Sequence, residues 1–276
     1  MSSKKMGGMP IVVIILIIGG IFVANISKCS KNKNFSTYNP AGKYQITFGD
    51  DFKKGLASED NLGLSVLIAI DCSGSMYDPP SDGTDNREKY RIASESLTEI
   101  VNFLENFYKS NKDDTLLLKL GILRFSDNPE VLYELKEINL KSFDEIRQIT
   151  ENIENFKPTG ATAIGKTLEK GTEILTQSQT IFKSLIIVSD GQNTSGVDPR
   201  NVLSAIVESR NNKNTPDFPV LTNSVLVSFV GFDIDSSVFS ELHNIGSRIT
   251  SASNKEELIE SLKNIFLADI TKLEAK

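Results

Sequence analysis

LSVLIAIDCSGSM, residues 64–76, opens with seven residues of which only Ser65 is polar. A run that is apolar on both faces suits a strand buried on both sides of a parallel sheet. The run stops at Asp71, and Ser73, Gly74 and Ser75 follow. Open α/β sheets place their ligands outside the carboxyl ends of such strands. Two hydroxyls at alternate positions, with a glycine between them to let the loop fold over, make an oxygen-rich cup. Hard cations such as Mg²⁺ take oxygen ligands in near-octahedral array. In isolation the same residues serve equally well as a helix cap and a solvated loop, so further ligands must come from elsewhere in the chain.

On the amino-terminal side, residues 28–62 are polar and rich in Lys, Asn, Ser and Gly, a linker with a candidate short strand at Tyr44–Phe48. On the other side Tyr77–Asn86 is dense in turn residues. Its Asp78, Asp82 and Asp85 lack the spacing and terminal glutamate of an EF-hand and read as a solvated turn. Helical spacing of apolar residues then runs from Arg87 to Ser110. Thr115–Phe125 and Glu130–Leu135 predict two strands joined by a turn at Ser126–Pro129, hence an antiparallel hairpin. Further helices are expected at Ser142–Asn155, from the loop Lys157–Leu168 to about Gln177, at Pro199–Asn211 behind the capping Asp198, at Ser236–Ile245 and at Lys255–Leu273. Between them fall strands at Ser184–Asp190, Val220–Phe232 and Arg248–Ala252. This alternation predicts an α/β fold: a doubly wound, mainly parallel sheet with one antiparallel edge strand and helices on both faces, occupying residues 63–276.

Three loops then bring oxygen ligands to one edge of the sheet: Asp71/Ser73/Ser75, Thr159/Thr162 and Asp190. The set D-C-S-G-S-M, G-A-T-A-I-G and I-I-V-S-D-G resembles the metal-ion-dependent adhesion site of the von Willebrand factor A (integrin I-like) domain family, over about Leu64 to Phe266. The resemblance implies a Mg²⁺ or Mn²⁺ ion bound directly by the Ser73 and Ser75 hydroxyls. It implies Thr162 as a ligand, direct or through water, with Asp71 and Asp190 acting largely through water. Thr159 is expected to be a loop hydroxyl. Two carboxylates held one shell out leave a cation under-neutralised, so it seeks an Asp or Glu carboxylate from a protein partner. Relatives with this site also couple it to a shift of the last helix, here with the apolar stripe Leu258, Ile259, Leu262, Ile265 and Phe266.

A rival pattern overlaps the second loop. Gly160–Thr167, GATAIGKT, satisfies the phosphate-binding G-x-x-x-x-G-K-[ST]. A P-loop needs a buried strand running straight into its first glycine, and here a polar helix end and Pro158 precede it. The P-loop reading also leaves Asp71, Ser73 and Ser75 unexplained; without it, Lys166 is expected to be a solvated helix residue. A haloacid-dehalogenase-type nucleophile would need a second Asp where Ser73 stands. The single histidine, His243, is expected on a helix surface. No catalytic constellation forms around it, so a binding module and not an enzyme is expected.

Composition sets the compartment. The whole chain carries −6 and residues 1–49 carry +6, from six lysines and no acid, so residues 50–276 carry −12. Such a domain repels phosphate backbones, which excludes nucleic acid as a partner. Met6–Ser27 holds no charge; 22 residues at ~1.5 Å each give about 33 Å of helix, enough for the ~30 Å hydrocarbon core. Residues 1–27 are therefore expected to be an uncleaved transmembrane anchor. No small-x-small cleavage site follows it, and Lys28 before Cys29 argues against lipidation. By the convention for single N-terminal anchors the domain lies on the extracytoplasmic side. Cys29 and Cys72 are not expected to pair. The reading is a membrane-anchored adhesion or assembly module of bacterial type; the alternative is a scaffold subunit working beside a AAA+ ATPase, as bacterial relatives do.

Overall fold

The computed structural model describes residues 38–39, 44–50, 52, 63–83, 85–110, 117–211 and 225–274. The expected anchor at 6–27 lies outside them. Six strands form one sheet in the order β3-β2-β1-β4-β5-β6. They are β1 Gly63–Asp71, β2 Leu117–Phe125, β3 Pro129–Glu137, β4 Phe182–Ser189, β5 Val225–Phe232 and β6 Arg248–Ala252. Every residue of β1 is buried, as its apolar run requires, and it pairs in parallel with β2 on one side and β4 on the other. Only β3 runs antiparallel, at the edge and against β2.

The period-2 alternation of β1 feeds two cores. Val66, Ile68 and Ile70 pack under α1 (Lys89–Ser110), α2 (Leu140–Glu151) and α6 (Lys255–Glu274). Leu67 and Ala69 face α3 (Ile164–Gln177), α4 (Pro199–Asn211) and α5 (Ser240–Ile245) on the other side. The expected stripe of the last helix holds: Leu258, Leu262, Ile265 and Phe266 are buried, joined by Ile270, and Ile259 is partly buried against them.

Two local expectations fail. α2 begins two residues earlier than apolar spacing suggested. The Asn139 side chain accepts from the Lys141 and Ser142 amides, while Ser142 Oγ accepts from the Asn139 amide, a reciprocal cap. The helix then stops at Glu151, and Ile153–Phe156 form a separate 3₁₀ turn. Nor does Tyr44–Phe48 form a strand. Its alternation is real but meets helices: Tyr44, Ile46 and Phe48 all pack into the second core. Tyr44 Oη donates to Glu169 Oε1 (2.5 Å) and the Gly49 amide to Glu173 Oε1 (3.1 Å) on α3, while the Asn39 amide donates to Asn201 Oδ1 (3.1 Å) on α4. The described part of the expected linker is thus a strap on the domain, whose compact unit runs from Ser36 to Lys276.

Candidate metal centre

The parallel register sets the site. Ile70 lies opposite Val188, so the next residues along, Asp71 and Ser189, meet at the carboxyl edge with Asp190 one step beyond. Asp71 is fully buried and both of its oxygens are occupied. Oδ1 accepts from the Ser73 amide (2.7 Å) and Oδ2 from Ser189 Oγ (2.5 Å). It therefore folds the Ser73–Ser75 loop back over the strand end. Burial pushes its carboxyl up to about 7, and neighbouring Asp190 adds to the rise against the opposing Ser189 and Ser73 hydrogen bonds.

The two serines follow from that turn. Ser73 Oγ stands 3.2 Å from Ser75 Oγ, and Ser75 Oγ donates to Asp190 Oδ1 at 2.7 Å. Ser73 is buried but Gly74 and Ser75 are exposed, so the cup opens to solvent through the second serine. The third loop docks on the first: Gly74 donates its amide to the Gly160 carbonyl (3.1 Å), and Thr159 donates to that of Cys72 (2.7 Å). Gly160 sits at φ +68°, and a Cβ there would fall 2.0 Å from Asp127 Oδ2, so only glycine fits. Thr162 is nearly buried; its amide donates to Thr194 Oγ1 (2.9 Å), and its carbonyl accepts from the Thr194 and Ser195 amides. Asp71, Ser73, Ser75 and Asp190 thus form one hydrogen-bonded chain, and Thr162 joins them through the backbone of its loop. Thr159 is a loop hydroxyl, 3.5 Å from Ser126 Oγ.

The donor set suits a hard cation. Oxygens bound at about 2.0–2.1 Å and at right angles stand roughly 2.9 Å apart, and the Ser73 and Ser75 hydroxyls, 3.2 Å apart, lie close to that edge. Among the described residues no group of three or more His, Cys, Asp or Glu stands together for a metal; a cation here would be held by hydroxyls with two carboxylates nearby.

Sequence reasoning missed three neighbours. Ser189, adjacent to Asp190, had a signal: a lone hydroxyl at the end of an apolar strand. Lys89 and Asp233 had none. The Lys89 ammonium lies 2.8 Å from Asp190 Oδ2 and 3.4 Å from Asp233 Oδ2, with all three side chains buried. Asp233 closes β5 at φ +57° and its Oδ1 accepts from Ser81 through both amide and hydroxyl. Burial alone would lower the Lys89 amine; the pairs with Asp190 and then Asp233 outweigh it and raise it.

The P-loop pattern does not take P-loop form. A 3₁₀ turn and an irregular segment precede Gly160, where a strand would have to stand. Lys166 is not simply solvated: its Nζ donates to the Asp127 carbonyl (2.9 Å) and Asn128 Oδ1 (2.8 Å), tying α3 to the β2–β3 turn. His243 is exposed, with Nδ1 3.1 Å from the Ser247 carbonyl.

A doubly wound, mainly parallel sheet with oxygen-bearing loops gathered at its carboxyl edge defines an α/β domain of the von Willebrand factor A type. The von Willebrand factor type A domain model matches residues 65–268, well over half of the sequence, and the chain belongs to that family. The fold is shared with a von Willebrand factor type A protein from Catenulispora acidiphila, at TM-score 0.52 and 17% identity over 74% of this chain and 41% of that one. It is shared with the PilB minor pilin of Streptococcus sanguinis, at 0.54 and 14% over 75% and 61%. The von Willebrand domain of the type V pilus tip protein Mfa5 from Porphyromonas gingivalis gives 0.54 and 13% over 76% and 96%. The chain spans less than two thirds of the first two proteins. A search of the curated proteins finds no significant match. No helix among the described residues is long and apolar enough to cross a membrane.

Proposed function

We propose that this domain is a binding module, not a catalyst, that holds one Mg²⁺ or Mn²⁺ at Ser73, Ser75 and Thr162 and grips a carboxylate of a protein partner through it. The observation that carries this reading is the chain Ser73–Ser75–Asp190, in which a solvent-facing hydroxyl is already polarised by a buried carboxylate. Asp71, with one oxygen on the Ser73 amide and the other on the Ser189 hydroxyl at the end of β4, positions the serines instead of binding the ion itself. The bound cation supplies a coordination position for an external Asp or Glu oxygen. Relatives in fold include a minor pilin and a pilus tip protein, which supports an adhesive or assembly role. The uncharged stretch 6–27 supports attachment to a membrane, with the domain on the extracytoplasmic side. Titration calorimetry of the full chain should show one Mg²⁺ per chain, lost in Asp71→Ala. Absence of Mg²⁺- or Mn²⁺-dependent heat and thermal shift refutes the reading.

A further inference from the structure

The buried ion cluster behind the site ties its loops together, and its geometry is specific. Asp190 is bridged: Oδ1 takes the Ser75 hydroxyl on the site side, while Oδ2 is held by Lys89 on the far side. Lys89 is itself shared, because Asp233 Oδ2 competes for the same ammonium at a longer distance. Asp233 is in turn fixed by Ser81 of the loop after the site and by its own left-handed backbone. Lys89 enters from the first turn of α1, its amide bonded to the Asp78 carbonyl, which fixes the backbone from which the ammonium reaches Asp190. An ammonium on one oxygen keeps a carboxylate from turning both oxygens to a cation, and its charge opposes the cation directly.

We infer that Lys89 is the positioning residue that keeps Asp190 an indirect ligand and sets the site's cation affinity and selectivity, with Asp233 regulating how tightly it does so. The inference rests on the metal-site reading above. Keeping Asp190 back leaves the ion electron-poor and ready for an external carboxylate. Releasing it would let Asp190 bind the ion directly, with both oxygens for the larger Ca²⁺, which accepts bidentate carboxylates.

The two flanking residues therefore act in opposite directions. Lys89→Met should tighten Mg²⁺ binding about tenfold, the screened effect of removing one unit charge beside a divalent ion, and tighten Ca²⁺ more than Mg²⁺. Asp233→Asn should weaken Mg²⁺ binding, because Lys89 then belongs to Asp190 alone. Lys89→Arg should stay near wild type in the Ca²⁺/Mg²⁺ ratio. Calorimetry of the full chain with each metal alone reads all three, and thermal melts monitor folding. A merely structural cluster would lower thermal stability and shift Mg²⁺ affinity in the same direction in Lys89→Met and Asp233→Asn, or in neither, and that result overturns the inference. If Lys89→Met does not fold, Asp233→Asn decides: unchanged or tighter Mg²⁺ binding sinks it. A wild-type chain that takes up no cation fails the metal reading itself, a result separable from wild-type binding with same-sign variants.

Discussion

Lys183 is a fully buried lysine in β4 with no ion-pair partner among the described residues. Its ammonium donates to the Thr180 carbonyl at 2.5 Å. Lys119 shares its face of the sheet, since Ser65 lies opposite both in register. Burial, and after it Lys119, push the amine down from its ordinary 10.5 to about 8. The unfolded chain therefore holds a proton between pH 8 and 10.5 that the folded protein has lost. Stability must rise with pH across that window and be lowest, and level, below it. A shift of 2.5 units at 1.36 kcal/mol each makes the rise about 3 kcal/mol. Lys183→Met keeps the stem volume and removes the charge. Setting about 1 kcal/mol for the lost hydrogen bond against the penalty leaves the variant about 2 kcal/mol more stable at pH 7. For a domain of this size that is a melting shift of roughly 4–8 °C. Urea melts of both proteins at pH 7 and pH 10 measure it. The variant should gain at pH 7 and lose the wild-type slope. A variant less stable at pH 7, or one that keeps the slope, would refute the argument.

Gly165→Ala raises helix propensity, yet its Cβ would fall 1.9 Å from the Val197 carbonyl oxygen; we expect a loss of about 1–3 kcal/mol by thermal melt, opposite in sign to propensity. Ile46→Ala should cost about 2–4 kcal/mol, because the strap residue is buried in the second core; a free linker would give no change in melting. In chelator, the contribution of Asp71 to stability should fall as pH rises from about 4 to about 7, since folded Asp71 keeps a proton that the unfolded chain releases. Measured as wild type minus Asp71→Asn, which cancels the other carboxylates, stability should fall over that window, and a difference that stays level or climbs contradicts the assignment.

The sheet was legible because β1 and the Leu185–Val188 stretch of β4 are apolar on both faces and each strand runs into an acid, Asp71 at the end of β1 and Asp190 just past β4, a pattern that suits central parallel strands. Asp71, Ser73 and Ser75 were legible because three site residues lie within five positions, and Asp190 because it ends the neighbouring strand. Lys89 and Asp233 were not. Each is an ordinary charged residue locally, and only the packing of α1 against the ends of β4 and β5 makes them partners. The strap was misread because alternation reports that every second side chain is covered, without saying whether a sheet or a pair of helices covers it.

The strap also decides how the domain bears load. Tyr38 and Asn39 lie against α4 near its start, the end of the sheet where the site opens, and the strap then descends along α3 toward β1. Tension arriving from the amino-terminal side is met first by those few bonds and by the burial of Ile46, which can be peeled one after another at low force. Behind them stands β1, stitched to a neighbour on each side along its length, which yields only if both ladders shear together. A pull from that side thus meets a few separate contacts first and a ladder paired on both sides second.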